Sequence, residues 1–228
     1  MYEKYNWRFD EEVTKVFDSH VNMSVPLYQA FHNNISNMSV YFTQERTNVV
    51  DIGTSTGTLL YDIQELNHNK RGLNFIGLDI EEAMIKECLS RYSDIDSMKF
   101  KLTNALDFDY TNSSVITSML ALQFMTKKDR KILLKKLYQG LNEDGALFIV
   151  EKTKTSILDL HDIYNDLYYD FKRENLVDTE ILDKNQSLRG VMKPLSVDDN
   201  ISMIKEVGFS KIDIFTKYLN FTGFIAIK

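Results

Sequence analysis

The stretch NVVDIGTSTGTLLYDI, Asn48 to Ile63, decides how the rest of the chain is read. NVVDI is a short apolar run carrying one acid, the pattern of a buried strand. Gly53 and Gly57 bracket a polar turn, and Leu59, Leu60, Ile63 and Leu66 then recur at helical spacing. A strand that passes through a glycine turn into a helix offers backbone N–H groups and a helix N-terminus to a ligand, which is how nucleotide sites are built. The dinucleotide fingerprint GxGxxG is absent, because Ser55 stands between the two glycines. No GxxxxGK[ST] for a triphosphate is present either. What remains is an adenosyl ligand without a phosphate chain.

Outward from this unit, strands and helices alternate. NFIGLDI (Asn74–Ile80), MKFKL (Met98–Leu102), SSVITSML (Ser113–Leu120) and GALFIVEK (Gly145–Lys152) read as further strands. Helices fall between them through Met84, Ile85, Cys88 and Leu89, and over residues 126–138. Two helices come first: Phe9, Val13, Val16 and Phe17 share a face behind Asp10 as a cap, and Leu27, Phe31, Ile35, Met38 and Phe42 form a stripe after Pro26. Ile157 to Leu188 reads as one long helical region, and a helix capped by Ser196 runs to Val207. KIDIFTKYL and FTGFIAIK are separated by little more than Asn220, so they pair antiparallel. The fold class is therefore α/β, a mostly parallel sheet with helices on both faces. One domain spans residues 1–228: N-terminal helices (1–45), a nucleotide-binding core (46–152), a helical cap (153–209) and a terminal hairpin (210–228).

Composition narrows the function. The 228 residues are 43% hydrophobic and 26% charged, with a net charge of −6, which suits a globular protein and small-molecule work rather than a grip on a nucleic-acid backbone. The cluster KKDRKILLKK (Lys127–Lys136) reads as a solvated helix face with Ile132, Leu133 and Leu137 turned inward. No apolar run is long enough to span a bilayer, and the charged start MYEKYNWRFDEEV is no secretory signal. The single Cys88 cannot form an internal disulfide, which points to the cytoplasm, and it reads as a small buried hydrophobe. Four histidines without ligand spacing give no metal site.

In an open α/β sheet, ligands lie beyond the carboxyl ends of the strands. Gly53 lets the backbone pass close to a ligand, and Gly57 permits tight packing at the helix start. Asp79, ending the second strand, is placed to accept both hydroxyls of a ribose. Asn104 and Ala105 follow the third strand beside an adenine edge, and Asp51 can orient the loop or attract a cation.

The DIGTSTG turn, the acid ending strand two and the terminal hairpin resemble a class I S-adenosylmethionine-dependent methyltransferase. That resemblance implies a Rossmann-like seven-stranded sheet of order 3-2-1-4-5-7-6, strand 7 antiparallel, with the cap between strands 5 and 6. Over nearly the whole chain, WRFDEEVTKVFD, SVPLY, ALQFM, LYQGLNEDGAL, Glu151–Lys152, DFKREN and GVM are similar to carboxy-S-adenosylmethionine synthase, whose turn also carries a central serine. This implies transfer of a carboxyl group from prephenate onto the methyl of S-adenosylmethionine, supplying carboxy-S-adenosylmethionine for wobble-uridine modification in tRNA by a separate enzyme. It also implies a homodimer through the cap.

Carried over by position, Gly53, Thr54 and Ser55 hold the methionine and sulfonium end, Asp79 and Ile80 the ribose and adenine, and Asn104 and Ala105 the adenine. Tyr28 closes the pocket. Three positions depart from the family: Asn104 stands for Asp, Met119 for Asn, and Asn185 for the cap Arg that holds the transferred carboxylate. An amide cannot replace a bidentate guanidinium. Arg189, one turn later, and Lys184 are the cations able to compensate, or else surface charges. The catalytic residues are not identified. Two further readings stand beside synthase activity: methyl transfer to an unidentified small acceptor, with Tyr164, Tyr168 and Tyr169 shaping its pocket or serving helix packing, and cofactor binding without chemistry.

Overall fold

The computed structural model describes residues 11–228, with the side chains of residues 11–13, 15 and 16 outside that description. Phe9 and Asp10, the proposed start and cap of the first helix, therefore lie outside the described residues, as do the side chains of Val13 and Val16. Helices α1 (Glu11–Ser24) and α2 (Tyr28–Phe42) precede an alternating core. The core comprises β1 (Asn48–Ile52), α3 (Thr58–Asn67), β2 (Asn74–Asp79), α4 (Glu82–Arg91), β3 (Met98–Leu102), β4 (Ser113–Met119), α5 (Lys127–Gly140) and β5 (Leu141–Lys152). Helices α6 (Leu158–Arg173), α7 (Asp178–Leu188) and α8 (Val197–Glu206) follow, then β6 (Lys211–Tyr218) and β7 (Phe221–Ile227).

The seven strands form one sheet of order β3-β2-β1-β4-β5-β7-β6. The first five are mutually parallel, and β7 runs antiparallel to both β5 and β6. The sheet order and the antiparallel terminal strand are those expected from the sequence. Alternation along each strand splits the core in two. Val50, Ile52, Ile76, Leu78, Ile116, Leu147 and Ile149 pack on one face with Leu133, Leu134 and Leu137 of α5 and with Met203 and Ile204 of α8. Val49, Phe75, Val115, Phe148 and Val150 pack on the other with Phe31 and Ile35 of α2 and Leu59, Leu60 and Ile63 of α3. Strands buried on both faces read as continuous apolar runs, which is why the central ones stand out in the sequence.

Three local expectations are corrected. The long helical region breaks into α6 and α7 without Gly or Pro; the Glu180 side chain accepts the Val177 N–H at 3.2 Å, opening a new helix N-terminus. Strand β5 begins at Leu141 rather than Gly145, because Leu141 pairs with Ser113 of β4 ahead of a register irregularity, after which Ala146 pairs with Val115. Ile132 is 45% exposed. The inward stripe of α5 is instead Arg130, Leu133, Leu134 and Leu137, spaced i, i+3, i+4, i+7.

Arg130 ties the cap to the sheet from inside. Its side chain is 2% exposed and lies 3.8 Å from the fully buried Glu151 carboxylate at the end of β5. Its Nε donates to Met125 O at 3.3 Å and its Nη2 to the Lys193 carbonyl. Burial pushes the Glu151 carboxyl up to about 8, more than the Arg130 charge pulls it down. Arg130→Ala removes three tethers at once and strands a buried acid. It is expected to cost about 3 kcal/mol in denaturant unfolding, and a loss well below 1 kcal/mol would show that the cluster carries no structural weight.

Candidate functional site

A cavity of about 550 Å³ opens at the carboxyl ends of β1 to β4, between the sheet, α1 and the cap. The turn after β1 forms its floor. Gly53 and Thr54 both donate N–H to the Leu78 carbonyl, at 2.8 and 3.0 Å, and Gly57 N–H donates to Thr54 O at 2.8 Å. The turn needs left-handed backbone at Gly53 (φ 70°), Ser55 (φ 51°) and Gly57 (φ 80°). For Ser55 that conformation costs about 1–2 kcal/mol. It is held there because its N–H donates to Asp79 Oδ2 at 3.0 Å and its carbonyl accepts the Cys88 thiol at 3.0 Å. Leu120, after β4, is also left-handed (φ 62°), with its N–H on Val150 O at 2.7 Å. Strained non-glycine backbone at two points of one cavity is characteristic of ligand-binding loops.

Tyr28, Asp51, Gly53, Thr54 and Ser55 line this cavity, together with Asp79, Ile80, Asn104, Ala105 and Met119. Gly57 does not. A Cβ there would sit 2.8 Å from the Tyr92 ring and 3.2 Å from Cys88 Sγ, so this glycine serves packing behind the turn. Gly53 differs: a Cβ would lie 2.6 Å from Ala121 Cβ, where the β4 loop closes on the turn.

The polar groups suit an adenosyl ligand. Each Asp79 oxygen accepts one backbone N–H, Oδ2 from Ser55 and Oδ1 from Glu81 at 3.0 Å. Each keeps a second lone pair, enough for a ribose diol. Burial raises the Asp79 carboxyl against the pull of those N–H groups. Asn104 Oδ1 accepts the Leu106 N–H at 2.9 Å, so its loop is braced and its amide NH₂ remains for an adenine edge. Ile80 is mostly exposed at the rim. Asp51 is fully buried, and its Oδ1 accepts the Thr117 hydroxyl at 2.6 Å. Burial pushes its carboxyl up to about 6 despite that bond.

Asn185 and Arg189, the proposed substrate residues, are not brought to the cavity. Both are exposed, and the Asn185 amide donates to the Tyr169 hydroxyl. Lys184 and Tyr168, both named from the sequence, do line the wall; sequence reasoning missed the two cations beside them, Lys152 and Lys172, and His20. Two of these lysines stand in blocks already noted, Glu151–Lys152 and DFKREN, but a lysine in a sequence carries no sign of which way its ammonium faces.

A family model described as a methyltransferase domain matches residues 43–216. The carboxy-S-adenosyl-L-methionine synthase of Staphylococcus epidermidis is 41% identical, over all of this chain and 99% of that protein. The synthase of Nautilia profundicola is 35% identical over 97% of this chain and 94% of its own length. Among solved structures, human N-acetylserotonin methyltransferase in complex with SAM superposes with a TM-score of 0.63. It covers 96% of this chain and 56% of the human one at 13% identity, a likeness of fold alone.

Two outcomes follow for ligand binding. Gly53→Ala, strained by its φ and by contact with Ala121, is expected to weaken S-adenosylmethionine binding by about thirtyfold or more in calorimetry; wild-type affinity would remove the turn from the site. A cation held by Asp51 needs the ionised carboxylate, so the dissociation constant is expected to stay flat above about pH 7 and to rise up to tenfold per unit as pH falls below about 6. Asp51→Asn should flatten that limb, and its persistence would assign it elsewhere.

Proposed function

The chain belongs to the carboxy-S-adenosyl-L-methionine synthase family, within the methyltransferase-domain proteins, and we propose that it transfers a carboxyl group from prephenate to S-adenosylmethionine. It is a transferase of the class I methyltransferase fold that uses S-adenosyl-L-methionine. The observation that carries the finer reading is the make-up of the cavity: acids, backbone N–H groups and a ribose-ready carboxylate at the sheet end, and three lysines, Lys172 buried and Lys152 and Lys184 half-buried, at the cap end. A site for methyl transfer alone needs positioning of one nucleophile and gives no reason to gather three cations on one cavity wall.

In this reading Asp79 takes the ribose, Asn104 and Ala105 border the adenine, and Ile80 lies along its rim. Gly53, Thr54, Ser55 and Met119 border the methionyl and sulfonium end, and Asp51 faces its ammonium. When bound, S-adenosylmethionine supplies a methyl group whose C–H bonds are acidified by the adjacent sulfonium. The donor's C–COO bond breaks and its ring hydroxyl leaves with the methyl proton as water, while the carboxyl carbon becomes bonded to the methyl carbon, so the transfer would balance without an external oxidant.

The chain's own residues keep water out and hold the partners together. Tyr28 and Tyr168 reach the cavity from α2 and α6, and the Tyr168 hydroxyl donates to Ser24 O at 3.0 Å, pinning α6 to the end of α1. Burial raises both phenols far above their ordinary value, so both stay neutral. Excluding water from such a space strengthens every charge interaction inside it.

The product is proposed to feed wobble-uridine modification in tRNA by a separate enzyme, in the cytoplasm. A homodimer through the cap is supported by the apolar side chains that α6 and α7 leave exposed, Leu158, Ile163, Leu167 and Leu182. No described helix is long and apolar enough to cross a membrane.

Mass spectrometry of the adenosyl compound retained on purification, before and after prephenate is added, tests the reading. A species heavier than S-adenosylmethionine by one carboxyl group in place of hydrogen is expected, with phenylpyruvate released in equal amount. S-adenosylmethionine recovered unchanged with prephenate present would contradict it.

A further inference from the structure

The cap end of the cavity holds a concentration of positive charge that the adenosyl seat does not use. Lys152 ends β5, Lys172 lies in the last turn of α6, and Lys184 projects from α7; all three line the same space. Lys172 is 6% exposed as a residue. Two of the ammoniums lie against one ring: Lys152 Nζ is 4.2 Å and Lys172 Nζ 4.6 Å from the Tyr168 centroid. Among the described residues no carboxylate forms an ion pair with Lys152 or Lys172. The acids of the cavity, Asp51, Asp79, Glu81 and Asp129, come from the sheet ends, from the loop after β2 and from α5.

Such an arrangement is costly as bare structure. Burial lowers all three ammoniums, Lys152 and Lys172 to about 8 and Lys184 to about 7, and Lys172 repels each of the others. The Tyr168 ring, and for Lys152 also the Phe221 ring at 5.9 Å, offset part of this, since a desolvated cation–π contact is worth about 2 kcal/mol. His20 adds an independent sign. It lines the same cavity, burial and the Lys184 and Lys172 charges keep it neutral, and its Nε2 is buried without a hydrogen-bond partner. Lys172, buried, and Lys152, half-buried, without a carboxylate partner among the described residues and beside a polar nitrogen unsatisfied among those residues, are complete only with an anion in place.

We propose that Lys152, Lys172 and Lys184, converging from three elements on one cavity wall beside His20, form a seat for a ligand with two carboxylates, the carboxyl donor. This rests on the carboxyl-transfer reading above and assigns its donor subsite to this chain's own residues. Lys172 is the hub: it shares the Tyr168 ring with Lys152 and repels both other ammoniums. The seat also accounts for the missing cap guanidinium at Asn185, because charge for the donor comes from the cavity wall instead. A single methionyl carboxylate would occupy part of it, so the cofactor is the competing occupant.

The test titrates prephenate and S-adenosylmethionine separately into the wild-type chain and into Lys152→Met, Lys172→Met and Lys172→Arg, with melting temperature as the folding control. Lys172→Met and Lys152→Met are each expected to weaken prephenate at least thirtyfold, leave S-adenosylmethionine within threefold, and melt no lower than wild type. Lys172→Arg, which keeps the charge, should recover most of the prephenate affinity. Prephenate affinity unchanged in both Met variants, or absent in the wild type, overturns the seat, as does an equal loss for S-adenosylmethionine, which would assign the lysines to the cofactor carboxylate. Carboxylated product formed at wild-type KM by the Met variants overturns the seat while leaving the transfer reading intact. Lysine-dependent prephenate binding without carboxylated product supports the seat and removes the transfer reading.

Discussion

The carboxylate of Asp79 organises the ligand end of this sheet. It closes β2, accepts the Ser55 N–H from the turn after β1 and accepts the Glu81 N–H at the start of α4, both at 3.0 Å. One side chain thereby fixes the turn, the strand end and the helix start relative to one another. Ser55 sits in left-handed backbone that a serine adopts at a cost. The Asp79 bond, the Cys88 thiol on its carbonyl and the Leu78 carbonyl beneath the turn together outweigh that cost. Everything proposed for the adenosine seat depends on the lone pairs Asp79 still has free.

At the opposite end the logic of charge reverses. The sheet end gathers acids and N–H groups, and the cap end gathers three ammoniums with an aromatic ring against two of them. Arg130 and Glu151 couple these ends mechanically, since Arg130 also holds the Met125 and Lys193 carbonyls. Glu151 and Lys152 are neighbours in sequence, and strand alternation sends them to different environments. The acid is locked in the interior and the lysine enters the cavity. The polarity of the cavity is thus written into β5 at its last two residues.

The architecture was legible because the central strands are buried on both faces and the helices between them are amphipathic. NVVDI, NFIGLD and MKFKL needed no tertiary information, and Ser196 caps α8 as its sequence suggests. The start of β5 was not legible, since Leu141 pairs with Ser113 only across an irregular register. The α6–α7 break was hidden for a different reason: a cap supplied by Glu180 has no Gly or Pro to announce it. On α5, Arg130 replaced Ile132 on the inner face because it finds carbonyls and a buried acid there. The turn residues were readable as a motif, and all but Thr56 and Gly57 line the cavity. Lys152 and Lys172 were not, because whether a long cationic side chain turns inward depends on separate elements meeting.

Asp79 is the proposed ribose acceptor, and calorimetry with two ligands tests that role most directly. S-adenosylmethionine and an analogue lacking both ribose hydroxyls would be titrated into wild-type protein and into Asp79→Ala. Two hydrogen bonds to a buried carboxylate predict a wild-type preference for the diol of about a hundredfold, collapsing to about threefold or less in the variant. Equal binding of the two ligands by wild-type protein, or a preference that survives in Asp79→Ala, would contradict it.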